Sequence, residues 1–229
     1  MTSSVARGGA MSVRDTVKSL VLPRGAAFRR LPLGVAAGVT MKIDFAHQTT
    51  LYLGLYEVEL SPHVRRLVSP GSRCFDVGAD VGYYTLLLAR RSGRPVVAFE
   101  SAASVARCLR DNIARNACEV EVYTVSVGDR DGDGCMTLDR AAAETFVPDL
   151  IKMDIEGGEV AALEGAGGIL SRRRPHLIIE VHGRRTEDRC IEILGRHGYA
   201  PVVVERRRWL AETRPAGHNR WLVCEGRAP

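Results

Sequence analysis

The sequence lacks several features that would assign it to a class at once. It has no run approaching the ~20 apolar residues of a membrane-spanning helix, and its first ten residues lack the apolar stretch of a signal peptide. We therefore expect a cytoplasmic protein that does not enter a membrane. The six cysteines include no C-x-x-C pair. This pattern argues against a structural zinc site or a disulfide framework and favours small buried thiols in a reducing compartment.

Lysine is also scarce, because 29 of the 32 basic residues are arginines. The formal net charge is +5. Arginine clusters occur at 172–174, 184–185 and 206–208, near predicted strand and helix ends. A nucleic-acid binder would usually group such charges on one element or interleave them with aromatic residues. We interpret the clusters as solvated surface, with an anionic partner as the alternative, and expect no nucleic-acid partner.

The chain length of 229 residues fits one domain with an N-terminal extension. Residues 1–70 are predicted to form that extension and a short cap, and residues 71–229 the main domain. There, apolar runs such as "RCFDV", "PVVAFE", "LIKMD" and "HLIIEV" alternate with segments of helical periodicity. This order predicts βαβ units around a mostly parallel sheet, and the final strand pair, with no long helix between its members, predicts one antiparallel strand.

A glycine loop follows the first strand of the main domain. In "FDVGADVGYYT", Gly78 and Gly82 are spaced G-x-x-x-G instead of G-x-G-x-x-G, and Asp76 precedes them. Both features disfavour a pyrophosphate. Glu100, which ends the second strand, suits the hydroxyls of a ribose. Together they predict an S-adenosylmethionine site, in which Asp76 faces the amino group and the helix N-terminus meets the carboxylate. A plain strand–helix turn is the alternative.

These motifs also resemble those of a known family. The order "DVGADVGYYT", "AFES", "DLIKMDIEGGE", "LEGA" and "EVH" is similar to that of the FkbM-type S-adenosylmethionine-dependent methyltransferases. Asp80 stands where that family commonly has Asn, and Ser101 where it commonly has Pro. The resemblance implies an α/β, Rossmann-like class I methyltransferase fold, with a mostly parallel seven-stranded sheet flanked by helices and a short N-terminal cap.

The resemblance further implies a reaction and a partner. The expected reaction is methyl transfer from S-adenosylmethionine to a hydroxyl oxygen of a small metabolite or sugar, so the expected partner is a small hydroxylated acceptor. A carboxyl or nucleic-acid methyltransferase, or a non-catalytic nucleoside-binding protein of the same fold, remains an alternative. The predicted cofactor-binding residues are Asp76, Gly78, Ala79, Asp80, Gly82, Tyr83, Glu100, Ser101, Ser126 and Val127.

An alcohol must lose its proton during methyl transfer, which calls for a general base or a metal. Asp154 ends the fourth strand of the main domain, and His182 follows the fifth, two residues after Glu180. We predict that these three residues form the catalytic group, with His182 or Asp154 as the base. No metal is assigned, although the same three side chains could instead hold Mg²⁺ or another divalent ion.

The remaining polar residues near the predicted site divide by role. Tyr56 and Glu57, from the cap, and Glu156 are predicted to bind the acceptor. Glu159 falls in the first turn of the following helix, where an acid favours the helix dipole, so we expect it to cap that helix. Lys152 lies inside an apolar strand and is expected to form a structural ion pair with a nearby acid. One of Tyr83 and Tyr84 is expected to face the cofactor and the other to pack in the core.

Overall fold

The computed structural model describes residues 25–207 and 219–226 of the chain. Residues 1–24 of the predicted extension and Arg208 of the third arginine cluster lie outside these ranges. The strands are β1 (Ala27–Arg30), β2 (Thr40–Ile43), β3 (Cys74–Val77), β4 (Val96–Phe99), β5 (Val120–Tyr123), β6 (Ser126–Val127), β7 (Cys135–Met136), β8 (Leu150–Met153), β9 (His176–His182), β10 (Val202–Val204) and β11 (Asn219–Cys224). The helices are α1 (Thr49–Tyr52), α2 (Ser61–Leu67), α3 (Tyr83–Ser92), α4 (Ala103–Ile113), α5 (Leu138–Glu144), α6 (Glu159–Glu164), α7 (Gly167–Arg172) and α8 (Arg184–Arg196), with a 3₁₀ helix at Val58–Leu60.

A seven-stranded sheet forms the centre of the molecule, in the order β10-β11-β9-β8-β3-β4-β5. The pairs β3–β4, β4–β5, β3–β8 and β8–β9 are parallel, whereas β11 runs antiparallel to both β9 and β10. The predicted mostly parallel sheet with one antiparallel strand is therefore confirmed. The chain leaves β3 first toward β4 and later returns to its other side as β8, so the topological switch point lies between β3 and β8.

Helices cover both faces of this sheet because its strands are apolar on both sides. Phe75, Ile151 and Ile179 belong to one hydrophobic cluster, whereas Cys74 and Leu150, one position earlier in their strands, belong to the other. α3 ends where Gly93 adopts a left-handed φ of 64°, as its sequence predicts. None of the helices in the described ranges combines the length and the apolar character needed to cross a membrane.

The segment before the main sheet packs directly onto it. β1 and β2 form an antiparallel hairpin, and Met41 and Ile43 share a hydrophobic cluster with Trp221 of β11. Arg207 also joins the two parts, because its Nη1 donates to Glu59 Oε2 at 2.7 Å and its Nη2 to the Leu55 carbonyl at 2.6 Å. The segment around residues 55–60 is thus held against the carboxyl-terminal part of the sheet.

One strand prediction is wrong. The alternation of residues in "EVEVYTVSV" predicts a single strand that ends at Ser126 and Val127. The strand β5 instead ends at Tyr123, opposite Phe99, the last residue of its partner β4. Because no ladder partner continues beyond that pair, the chain turns away, and Ser126 and Val127 form a separate parallel pairing with β7.

Candidate active site

A cavity of about 640 Å³ opens at the carboxyl ends of β3, β4, β8 and β9. This volume is in the range of small-molecule sites, and the position at the switch point is where ligands bind in such sheets. Three of the predicted site residues, Gly82, Glu57 and Glu180, do not line the cavity. The others do: Tyr56, Asp76, Gly78, Ala79, Asp80, Tyr83, Glu100, Ser101, Ser126, Val127, Asp154, Glu156 and His182.

The glycine loop between β3 and α3 is held by a close approach of backbone to backbone. Gly78 has a φ of +79°, and a Cβ built on it would lie 1.8 Å from the carbonyl oxygen of Asp154. The Gly78 and Ala79 amides both donate to the Phe99 carbonyl, each at 2.9 Å. Gly82, although outside the lining, precedes α3 with a φ of +96° and leaves room for Leu109. Only glycine fits at Gly78, so the loop conformation follows directly from the sequence.

Glu100 is oriented by two backbone amides. Its Oε2 accepts from the Asp80 amide at 3.0 Å, and its Oε1 accepts from the Ala102 amide at 2.8 Å. Each carboxylate oxygen retains a further lone pair. The side chain therefore offers two fixed acceptors to the cavity, as the two hydroxyls of a ribose require. The Asp80 backbone supports this arrangement in a left-handed conformation, with a φ of 46°.

Asp76 is buried at the end of β3 and lines the cavity floor. Thr85 Oγ1 donates a 2.5 Å hydrogen bond to its Oδ2. Burial raises the pKa of Asp76 to about 7, although the Thr85 hydrogen bond and the charge of Lys152 act in the opposite direction. The charge of this carboxyl group therefore depends on what lies beside it, and a bound ammonium group would favour the ionised form.

His182 lies at the opposite side of the cavity, at the end of β9. Its Nδ1 is 2.7 Å from Glu159 Oε1, and its Nε2 is 3.6 Å from Asp154 Oδ1 and 3.8 Å from Glu180 Oε1. The hydrogen bond to Glu159 raises the pKa of His182, burial lowers it, and the charges of Asp154 and Glu180 raise it, so that the pKa stands above 6.5. The three predicted catalytic residues are therefore brought together.

Glu159 has a different role from the one expected. It opens α6, as predicted, but its side chain is fully buried, and its Oε1 lies 2.7 Å from His182 Nδ1 and accepts from the Gly157 amide at 3.1 Å. We predicted a capping residue and missed the partner of His182. A signal was present, because Glu159 comes shortly after β8, His182 ends β9, and these two parallel strands are neighbours in the sheet.

Lys152 lines the cavity and is 1% exposed, within a buried layer of charged side chains. Its Nζ is 4.0 Å from Asp154 Oδ2 and 4.7 Å from the centre of the Tyr84 ring. Burial lowers the pKa of Lys152, but Asp154, Glu57, Glu180 and Asp76 raise it by more, so the net shift is upward and the ammonium stays charged. The predicted ion pair is confirmed, and it belongs to a network that includes acids from both sides of the cavity.

Glu57 and Glu180 belong to this buried layer instead of the cavity wall. The Tyr84 hydroxyl donates to Glu57 Oε2 at 2.7 Å, and Glu57 is 4% exposed. Glu57 does not line the cavity, whereas its hydrogen-bond partner Tyr84 does, so the structure gives Glu57 no direct contact with the cavity. Tyr83 and Tyr84 are both buried and both line the cavity, and Tyr56 packs edge-on against Tyr83 with ring centres 5.1 Å apart.

The alternative metal site also has a geometric basis. Asp154, Glu180 and His182 each present one ligand atom, and these atoms lie within 4.8 Å of one another. Carboxylates with one imidazole suit several divalent ions. The ammonium of Lys152 already lies 4.0 Å from Asp154, however, and supplies positive charge at the same place.

The sheet order and the cavity at its switch point define a Rossmann-like α/β fold with a ligand site beyond the carboxyl ends of its parallel strands. The sequence matches the family model described as the methyltransferase FkbM domain over residues 55–214. The chain therefore belongs to the FkbM methyltransferase family. The match begins inside the segment that we assigned to the cap.

Solved structures share this fold at low sequence identity. The methyltransferase FkbM of Methylobacillus flagellatus KT is 21% identical with a TM-score of 0.54, over 68% of this chain and 44% of that one. A SAM-dependent O-methyltransferase of Thermotoga maritima is 15% identical with a TM-score of 0.54, over 76% of this chain and 66% of that one. A fibrillarin of Aeropyrum pernix, solved with S-adenosylmethionine bound, is 14% identical with a TM-score of 0.50, over 69% of this chain and 68% of that one.

A curated relative matches a shorter stretch. The AMB antimetabolite synthetase AmbE of Pseudomonas aeruginosa is 36% identical over 72 residues, which are 31% of this chain. The chain spans 3% of the length of that synthetase and 44% of the length of the Methylobacillus methyltransferase.

Proposed function

We propose that this methyltransferase methylates a hydroxyl oxygen of a small metabolite or sugar. The observation that carries the proposal is the position of His182, which lines the cavity with its Nε2 3.6 Å from Asp154 Oδ1 and its Nδ1 2.7 Å from Glu159 Oε1. An imidazole held in this way is a proton acceptor at the place where an alcohol would need one. The cavity also continues to Glu156 and Tyr56, which we propose contact the acceptor.

One end of the cavity would bind the cofactor, and the other would bind the acceptor and remove its proton. Glu100, Asp76 and the loop at Gly78 would hold S-adenosylmethionine, which supplies a methyl group on a positively charged sulfur. His182 would take the proton from the acceptor hydroxyl, and the carboxylate of Asp154 would stabilise the imidazolium that results. Because the pKa of His182 is raised, we expect the rate to increase as pH rises through that pKa and the imidazole becomes neutral.

The charges at the acceptor end favour a neutral acceptor over an anionic one. Asp154 and Glu156 both line this part of the cavity together with one ammonium, that of Lys152, which lies 4.0 Å from Asp154. Because the acids outnumber that ammonium, this end would not attract a carboxylate or a phosphate backbone. Several arginines of the described surface are also paired with acids, as in Arg140–Glu144 at 2.7 Å and Arg189–Glu192 at 2.5 Å. These observations support a small hydroxylated partner over a nucleic acid.

Transfer of a tritiated methyl group to a fractionated metabolite extract tests the proposal. We expect a small product whose label survives mild alkali, because a methyl ether is stable where a methyl ester is hydrolysed. Label released by alkali would identify a carboxyl acceptor, and label released by ribonuclease a nucleic acid. A protein that binds S-adenosylmethionine without any transfer would be a binding protein. Loss of transfer in EDTA, restored by Mg²⁺, would support the metal alternative over an unaided base.

A further inference from the structure

The contact between Glu159 and His182 is unusual for a helix-capping residue. Glu159 is 0% exposed, and its Oε1 receives both the 2.7 Å contact from His182 Nδ1 and the 3.1 Å bond from the Gly157 amide. Its Oε2 is buried and accepts no hydrogen bond from the described residues. A buried carboxylate is costly unless it is paired. The pairing with His182 is therefore what makes this charge tolerable, and a helix cap alone would not require it.

The pairing has a consequence for the imidazole. A carboxylate accepts hydrogen bonds and donates none, so the hydrogen of neutral His182 belongs on Nδ1. Nε2 then carries the lone pair, and it faces Asp154 and Glu180 at 3.6 and 3.8 Å. Without Glu159, those two acids would favour the opposite tautomer, with the hydrogen on Nε2 and no proton acceptor toward the cavity.

We propose that Glu159 is a positioning residue that fixes His182 in the Nδ1–H tautomer and directs Nε2 into the cavity. The effect of Glu159 on catalysis rests on the proposed function. In that reaction the acceptor O–H bond breaks and its proton passes to Nε2 of His182, while the oxygen forms a bond to the methyl carbon as the carbon–sulfur bond breaks. Glu159 accepts the Nδ1 hydrogen before and after that transfer and so stabilises the imidazolium through Nδ1. The groups that face His182 are Glu159 from α6, Asp154 after β8 and Glu180 on β9, with Lys152 beyond Asp154.

Nitrogen-15 NMR of the histidine side chains tests this assignment without any methyl acceptor. The spectra are recorded on EDTA-treated protein at alkaline pH, where the imidazole is neutral, and the His182 signals are assigned with His182→Ala among the six histidines. We expect the Nδ1–H tautomer in the wild type. Glu159→Gln should retain it, because the amide oxygen still accepts, whereas Glu159→Ala should shift His182 toward Nε2–H. Glu164→Gln, at the exposed end of the same helix, is the matched control.

The outcomes separate the two claims. An Nε2–H wild type, or an unchanged tautomer in a folded Glu159→Ala protein, would overturn the positioning role. If Glu159→Ala does not fold, the tautomers of wild type and Glu159→Gln test the positioning role, and an Nε2–H tautomer in either would overturn it. Once an acceptor is known, kcat of Glu159→Ala should fall about 10- to 100-fold with little change in KM for S-adenosylmethionine, and Glu159→Gln should recover part of that loss. The expected tautomer without hydroxyl methylation would refute the proposed function and leave the positioning intact.

Discussion

The two ends of the cavity are built by different means. At the cofactor end, backbone groups set the geometry: the Gly78 and Ala79 amides bond to Phe99, and two more amides orient Glu100. At the acceptor end, side chains from separate elements orient one another, as with the contact of His182 and Glu159. The first end depends on the path of the chain and the second on a balance of charges. We therefore expect substitutions at the cofactor end to change stability and cofactor affinity, and substitutions at the acceptor end to change the rate of methyl transfer.

The largest effect should follow from a Cβ at the cofactor end. Gly78→Ala places that atom 1.8 Å from the Asp154 carbonyl oxygen in a left-handed backbone, and we expect a loss of roughly 3–5 kcal/mol in the free energy of unfolding, with loss of S-adenosylmethionine binding. Gly71→Ala is the control, because Gly71 has a φ of +93° and no atom near its Cβ position. It should lose about 1–2 kcal/mol. Equal losses in chemical denaturation would refute the steric argument.

The next effect separates chemistry from binding at the acceptor end. His182→Ala removes the proposed base, so we expect kcat for methyl transfer to fall by about 10²- to 10⁴-fold. The Kd for S-adenosylhomocysteine should stay within about twofold in calorimetry, because Glu100 and the glycine loop are untouched. His197→Ala, at the far end of α8, should leave both quantities unchanged. Near-normal turnover of His182→Ala would remove that residue from the mechanism.

A smaller effect is expected from the fixed carboxylate of the cofactor end. Glu100→Gln replaces one acceptor oxygen with an NH₂ group that faces a backbone amide, and it removes the charge offered to a ribose. We expect the Kd for S-adenosylhomocysteine to rise about 10- to 100-fold with a minor change in thermal stability. Glu119 is exposed and lies just before β5, away from the carboxyl ends of the strands, so Glu119→Gln should have the Kd and thermal stability of the wild type. An unaltered Kd in Glu100→Gln would place the nucleoside elsewhere.

The smallest effect is a pH dependence of cofactor binding. The pKa of Asp76 is raised to about 7 by burial, and an ammonium group should bind the ionised form. As pH rises through this value the carboxyl group loses its proton, so affinity for S-adenosylhomocysteine should increase about tenfold from about pH 6 to about pH 8. Asp76→Asn should bind more weakly and show no such slope in calorimetry. A flat wild-type profile would contradict the pairing of Asp76 with the amino group.

Much of the fold was predictable because its signals are local. Short apolar runs, glycines at helix ends and the alternation of strands with helices predict the parallel sheet, and the family motifs add the strand order. The extent of β5 was not predictable, because it is set by the length of β4, which ends at Phe99. Residue alternation alone cannot show where a neighbouring strand stops.

The two ends of the site differ in the same way. The placement of Gly78 and Glu100 at the cavity could be predicted, because the glycine spacing of one loop indicates the first and the acid at the end of one strand indicates the second. That Lys152 would pair with an acid could be predicted, since a lysine in an apolar strand needs one, but the sequence did not single out Asp154 as that acid. Glu159 was assigned to helix capping because its contact with His182 spans 23 residues and depends on how α6 leaves β8. The burial of Glu57 beside Tyr84 could not be predicted, because it depends on how the cap packs against α3.

A structure of the protein with S-adenosylhomocysteine bound is the most direct test of the division of the cavity into a cofactor end and an acceptor end. We predict that the ribose hydroxyls contact Glu100, that the amino group lies at Asp76, and that the sulfur points toward Asp154 and His182. The side-chain contacts of His182 with Glu159 should be unchanged, because the acceptor end is assembled independently. A nucleoside bound against His182, or outside the cavity at the switch point, would contradict the account.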